Sequence, residues 1–147
     1  MKLAELVVPD RVLAGLRAAD KRALLSDLAR RAAATLGRDP AAILAVLEAR
    51  EGLGSTGLGR GFALPHARLA GLDRIFCLFA QLRRPIDFQA IDGEPVDLVM
   101  LMLIPEQAAD SNMALAAVAK PMRDAAFVRR LRAAASASEL QQALSAA

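Results

Sequence analysis

The chain contains one histidine, His66, and it closes a run unlike the rest of the sequence: R-E-G-L-G-S-T-G-L-G-R-G-F-A-L-P-H, from Arg50 to His66. Five of the nine glycines fall inside this run. A glycine-dense loop loses more conformational entropy on folding than an ordinary connection, which is tolerable where the backbone must pass close to something such as an anion. The residue types around it suit a phosphate. A guanidinium at Arg50 can bind two phosphoryl oxygens at once. The hydroxyls of Ser55 and Thr56 and the loop N–H groups, those of Gly54 and Gly57 among them, can donate to the others. A neutral imidazole at His66 can attack phosphorus and form a covalent phosphohistidine. Such a transfer is catalysed mainly by positioning and electrostatic stabilisation.

Each of these residues also has a plainer reading. Arg50 falls in the last turn of an expected helix, where a cation complements the helix dipole. An isolated histidine after a proline is ordinarily a turn residue. It is the combination of glycine loop, arginine and terminal histidine that favours a phosphate pocket in which His66 carries the phosphoryl group. Other phosphate and catalytic motifs fit less well. Gly52 to Gly57 spells G-x-G-x-x-G, but the dinucleotide fingerprint must follow a strand and open a helix, and here a helix precedes it. A Walker loop requires Gly-Lys-Ser/Thr, and no lysine lies near. One histidine with scattered acids is a poor zinc set, so no metal is expected, and no cofactor. A Ser–His–Asp arrangement through Ser55 or Ser111 with Asp92 or Asp110 lacks a nucleophile elbow.

The elements that must hold these residues can be read from periodicity and punctuation. Val7–Val8 suggests a short strand stopped at Pro9, and residues 12–16 suggest another. Asp20 looks like the N-cap of a helix carrying Leu24, Leu25, Leu28, Ala32 and Leu36, with Gly37 as its stop. Asp39-Pro40 opens a second helix with Ile43, Leu44 and Leu47 on its apolar side, ending at Gly52. Residues 61–65 read as a strand that delivers His66 at its end. Residues 75–82 form another strand, with turns at Pro85 and at Asp92-Gly93. The run V-D-L-V-M-L-M-L-I from Val96 to Ile104 reads as a strand covered on both faces. Asp110 or Ser111 can cap a following helix, in which Pro121 imposes a kink or a stop. Asp124 restarts a helix, and Ser136 with Glu139 forms a capping box before Leu140 and Leu144. Helices, then strands, then helices indicate an α/β three-layer sandwich with a mixed sheet between helical layers.

Composition narrows the rest. At 147 residues the chain is expected to be a single domain, residues 1–147. Its hydrophobic share is 55%, yet aromatics are only 3% with no Trp or Tyr, so the core must be largely aliphatic and base stacking has almost nothing to use. A net charge of +3 is modest, and the pairs Arg30–Arg31 and Arg129–Arg130 look like solvated helix faces, so no nucleic-acid partner is expected. Cys77 stands alone in an apolar run and reads as a small buried hydrophobe. No apolar run is long enough to span a membrane, and the first residues do not form a signal peptide. A soluble, cytoplasmic protein without membrane insertion is expected.

The stretch L-E-A-R-E-G-L-G-S-T-G-L-G-R-G-F-A-L-P-H resembles the signature of enzyme IIA domains of the bacterial phosphotransferase system. The likeness is to the fructose–mannitol class, which includes the nitrogen-regulatory IIA proteins, and it runs through nearly the whole chain. The resemblance implies a mixed sheet flanked by helices. It implies that His66 accepts phosphate from the histidine phosphocarrier protein and that Arg50 supports the site. Members of that class often carry a second active-site histidine, in a His-Leu pair, at the start of the helix after the last long strand. Asn112-Met113 stands there in this chain. An amide can donate a hydrogen bond to phosphate but cannot shuttle a proton or carry positive charge, so phosphorylation of His66 with altered transfer is expected. Three roles follow from the resemblance: a regulatory protein read by a partner according to its phosphorylation state, which a standalone chain favours; a IIA component relaying phosphate towards a sugar permease; or a degenerate module that binds and does not transfer.

Overall fold

Capping chemistry sets most of the element boundaries in the computed structural model, which describes residues 1–147. Leu3–Leu6 (α1) opens the chain, and after a 3-10 turn at Pro9–Arg11 comes Val12–Leu16 (β1). Lys21–Leu36 (α2) begins where the Asp20 carboxylate accepts the Ala23 N–H at 2.8 Å, and Gly37 closes it. Pro40–Glu51 (α3) begins where Asp39 accepts the Ala41 N–H at 3.0 Å. Three short strands follow: Gly57–Gly59 (β2), Phe62–Ala63 (β3) and His66–Leu69 (β4). Two long ones come next, Phe76–Ile86 (β5) and Val96–Pro105 (β6). The remainder is helical: Ser111–Ala119 (α4), a 3-10 turn at Pro121–Arg123, Ala125–Ala133 (α5) and Ala137–Ser145 (α6).

Several expectations from the sequence need correcting. Val7 and Val8 lie outside any strand; the segment before them is α1, whose Leu3 is buried in the core. The strand expected over residues 61–65 stops after Ala63, and His66 opens the next strand instead of ending this one. Pro65 is the reason: it has no N–H for the ladder, although its carbonyl still accepts the Met102 N–H at 2.9 Å. Pro85 is not a turn but lies within β5, at an irregularity in the β5–β6 register between Gln81 and Ile86. Pro121 acts as a stop: α4 ends at Ala119 and the chain passes into a 3-10 turn. The capping box at α6 is displaced. Ser136 accepts the Glu139 N–H at 3.1 Å, but the Glu139 carboxylate takes the N–H of Ala135 at 2.7 Å, one residue earlier than the motif predicts.

One mixed sheet runs in the order β1-β5-β6-β3-β2, with β4 also paired to β6. β3 and β4 therefore lie one after the other along the same edge of β6, both parallel to it. β6 is the central strand, and from Leu98 to Ile104 its side chains alternate cleanly. Val99, Leu101 and Leu103 enter one core cluster with residues of α2 and α3. Leu98, Met100, Met102 and Ile104 enter a second cluster with residues of α1, α4, α5 and α6. The expected three-layer architecture is present, and a strand apolar on both faces is what it requires. Cys77 is a buried member of the second cluster, and burial pushes its thiol up to about 12, where it is inert. No helix is long and apolar enough to cross a membrane.

Candidate active site around His66

The register of β4 decides which way the histidine faces. His66 pairs with Met102 and Arg68 with Ile104, both in the α4-side cluster, whereas Ala67 and Leu69 belong to the α2–α3 side. His66 and Arg68 thus share the sheet face covered by α4. The imidazole is half-buried. Its Nδ1 lies 2.8 Å from the Leu64 carbonyl oxygen. A carbonyl only accepts, so Nδ1 carries the hydrogen, and Nε2 is left with a free lone pair. The interruption at Leu64–Pro65 makes this bond available, since a continuous strand would point the Leu64 carbonyl sideways into a ladder.

The glycine loop reaches the histidine through hydrogen bonds. Glu51, at the end of α3, accepts the Thr56 N–H at 3.0 Å and the Thr56 hydroxyl as well. Its carboxylate is also 2.8 Å from the Lys21 ammonium, with side-chain exposures of 8% for Glu51 and 16% for Lys21. Lys21 in turn sits 4.5 Å above the centre of the Phe88 ring. The Thr56 carbonyl then accepts the Leu64 N–H at 3.0 Å. A continuous path results: Lys21, Glu51, Thr56, Leu64, His66. The sequence reading passed over Glu51, although it stands beside Arg50 in the quoted signature. A carboxylate five residues before a buried threonine was the signal available.

The two loop hydroxyls were expected to face a phosphate, and the structure assigns both to the protein itself. Thr56 is 2% exposed and donates to Glu51. Ser55 Oγ donates to the Phe88 carbonyl at 2.9 Å and accepts the Gly57 N–H at 3.0 Å. Their donor capacity is thus already in use, as is the N–H of Gly57. The N–H of Gly54 bonds to the Glu51 carbonyl at 3.0 Å, within the turn. These residues shape the loop. Gly57 must lack a side chain because a Cβ there would lie 2.8 Å from both Ala90 Cα and Ala90 Cβ. Gly54 has φ +143°, a backbone state that side chains disfavour.

Arg50 reaches back over the loop, and its Nη1 donates to the Gly54 carbonyl at 3.0 Å. The rest of its guanidinium fork makes no hydrogen bond within the chain, which leaves donors for an anion. No hydrogen bond joins Arg50 to His66 directly. Asn112 is exposed in the first turn of α4. Asp110 holds the N-cap position without capping through its side chain. The start of α4 is instead fixed by Arg68, which the sequence reading missed. Arg68 Nη1 donates to the carbonyls of Pro105, Glu106 and Ala108 at 3.1, 3.0 and 3.2 Å, and Nη2 donates to Ser111 Oγ at 2.9 Å. One side chain, two residues from His66 on the same face, thereby ties the end of β6 to the turn that presents Asn112.

The outer hairpin of β2 and β3 is held from below. The Asp92 carboxylate accepts the N–H of Arg60 at 2.9 Å and of Glu94 at 3.0 Å. These backbone donors, Arg60 first, draw the Asp92 carboxyl below its ordinary value.

Comparison with known proteins identifies the family. Residues 5–147 match the family described as "Phosphoenolpyruvate-dependent sugar phosphotransferase system, EIIA 2". The chain is similar to a nitrogen regulatory protein of Bradyrhizobium diazoefficiens, 44% identical over 145 residues, 98% of this chain and 95% of the relative. Among solved structures it is similar to the nitrogen regulatory protein IIA-Ntr of Neisseria meningitidis, with a TM-score of 0.89 and 30% identity over 97% of this chain and 98% of the other. The mannitol enzyme IIA of Escherichia coli, solved in complex with phosphorylated enzyme IIB, has a TM-score of 0.79 over 96% and 98% of the two chains. At 17% identity that likeness is one of fold. With a family match from Glu5 to the last residue, on a sheet and loop built as described, the chain belongs to the EIIA 2 family of the phosphoenolpyruvate-dependent sugar phosphotransferase system.

Proposed function

We propose that this protein is a regulatory IIA component of the nitrogen type that accepts a phosphoryl group on Nε2 of His66 from the histidine phosphocarrier protein. The observation that carries the reading is the Nδ1–H···O=C bond to Leu64, which fixes the tautomer and leaves Nε2 as the nucleophile. In the transfer, the Nε2 lone pair forms a new P–N bond while the P–N bond to the donor imidazole breaks, and the donor leaves with that electron pair. The His66 ring becomes an imidazolium that keeps its Nδ1 hydrogen on the Leu64 carbonyl. That bond strengthens once the donor is cationic. Arg50, through its uncommitted donors, is assigned to the developing charge on the phosphoryl oxygens. Gly54, Ser55, Thr56 and Gly57 hold the loop in shape for it. Asn112 offers an amide where a second histidine would offer a proton and a charge.

The donor is a protein. His66 lines none of the pronounced surface concavities. Leu53 in the loop and Met113 beside Asn112 are 85% and 58% exposed, as apolar anchors of a docking face would be. A regulatory role is favoured over sugar relay because a nitrogen-regulatory relative is 44% identical over 98% of this chain, whereas sugar-specific relatives, at 36% and 37% identity, align over only 65% and 60% of it. In the sugar-relay reading, a IIB or permease component would take the phosphate onward, as the mannitol complex suggests.

Intact-mass measurement after incubation with phosphorylated phosphocarrier protein tests the proposal. The expected result is the mass gain of one phosphate, absent in His66→Ala. No gain in the wild-type chain would leave only the non-transferring module.

A further inference from the structure

Far along the sheet from His66 lies a concavity of about 370 Å³ lined by Arg17, Ala18, Ala19, Arg83 and Arg84. Three of its five lining residues are arginines, and it shares none with the His66 site. None of the three makes an ion pair or a side-chain hydrogen bond within the chain, whereas Arg30, Arg31 and Arg132 all pair with aspartates. Asp20 and Asp87, which follow these arginines closely in sequence, line a different concavity and accept the N–H groups of Ala23 and Gln89.

The convergence has a structural cause. Consecutive residues of a regular strand point to opposite faces. Arg83 and Arg84 are consecutive, yet both line this concavity, because the β5–β6 register shifts between Gln81 and Ile86. Irregularities of this kind re-aim side chains. β1 pairs with β5 up to Leu16 opposite Leu82, which brings Arg17 to the same place. Three like charges gathered without a carboxylate repel one another, and an anion seated among them removes that cost. Guanidinium forks match phosphate oxygens in geometry. The remaining lining is two alanine methyls, so there is no aromatic face on which a nucleobase could stack.

We propose that Arg17, Arg83 and Arg84 form a second anion site, for a small, multiply charged phosphate compound without an aromatic group, either inorganic or a phosphate ester. Calorimetric titration with inorganic pyrophosphate tests it, using the full chain, the Arg83→Ala/Arg84→Ala double variant, Arg17→Ala, and His66→Ala. Pyrophosphate should bind the wild-type and His66→Ala chains alike, with affinity falling as salt rises. The double variant should bind at least about tenfold more weakly, and Arg17→Ala should be weakened in the same direction. All three side chains are exposed, so unfolding midpoints should stay near wild type and separate lost binding from lost folding. Absence of binding at millimolar pyrophosphate, undiminished binding in the double variant, or binding abolished by His66→Ala would each overturn the site. A parallel titration with a non-aromatic sugar phosphate distinguishes an ester from the free anion. Because the site shares no residue with the His66 loop, its failure leaves the phosphohistidine reading untouched, and the reverse holds too.

Discussion

Replacing Glu51 with alanine should both destabilise the protein and disturb the histidine. The carboxylate is 8% exposed, and it holds the Lys21 ammonium at 2.8 Å, the Thr56 N–H at 3.0 Å and the Thr56 hydroxyl. Removing it strands a largely buried ammonium and two donors of a residue that is only 2% exposed. Removing one partner of a buried pair costs roughly 3–5 kcal/mol. For a domain of this size each kcal/mol lowers Tm by about 2–4 °C, so Glu51→Ala should melt about 6–20 °C below wild type. Glu51→Gln keeps an acceptor for the Thr56 N–H but loses the charge opposite Lys21, and should cost about 1–3 kcal/mol. The same variants should slow phosphorylation of His66, because Thr56 holds Leu64 and Leu64 holds the ring. Urea unfolding and a phosphorylation time course measure the two effects. A Glu51→Ala chain within about 1 kcal/mol of wild type, or one that accepts phosphate at the wild-type rate, would refute the argument that this path positions His66.

Arg68→Ala removes the hydrogen bonds that gather Pro105, Glu106, Ala108 and Ser111. It should cost about 1–2 kcal/mol in urea unfolding and slow phosphoryl acceptance, and Arg68→Lys should restore little, because an ammonium lacks the planar fork. Asn112→His should change the rate at which phosphate leaves His66 in a release assay; identical rates would remove Asn112 from the mechanism. The lowered Asp92 carboxyl stabilises the hairpin only while it is charged. The stability gap between wild type and Asp92→Asn should therefore be constant well above the ordinary carboxyl value of 3.8 and close as pH falls through the depressed native one, as urea midpoints across the acid range would show.

Much of the fold was legible because capping and periodicity are local. Asp20, Asp39, Asp124 and Ser136 all cap the helices they precede, and Val96–Ile104 is the doubly covered strand its composition suggested. The errors arose where pairing across the sheet overrides local sequence. Val7–Val8 is β-prone but finds no neighbouring strand, and Pro85 sits inside β5 because a register shift gives it a place without a ladder bond. In the site, residue types marked out the glycine loop, but not the direction each side chain takes. Ser55 and Thr56 turn inward because Phe88 and Glu51, distant or uncounted in the reading, satisfy them. Arg68 was invisible as a contributor, since its partners lie about forty residues away and three of the four are backbone carbonyls with no sequence identity to read.

The close approach of Gly57 to Ala90 bears on how this site can drift over generations. A methyl added at position 57 would wedge β2 away from the 88–90 segment and strain the Ser55 bond to the Phe88 carbonyl. Position 57 cannot gain a side chain without shifting the strand that leaves the loop. Because one of the two nearest atoms is the Ala90 Cα, no residue at position 90 relieves that contact, and glycine at 57 is held in place by backbone packing alone.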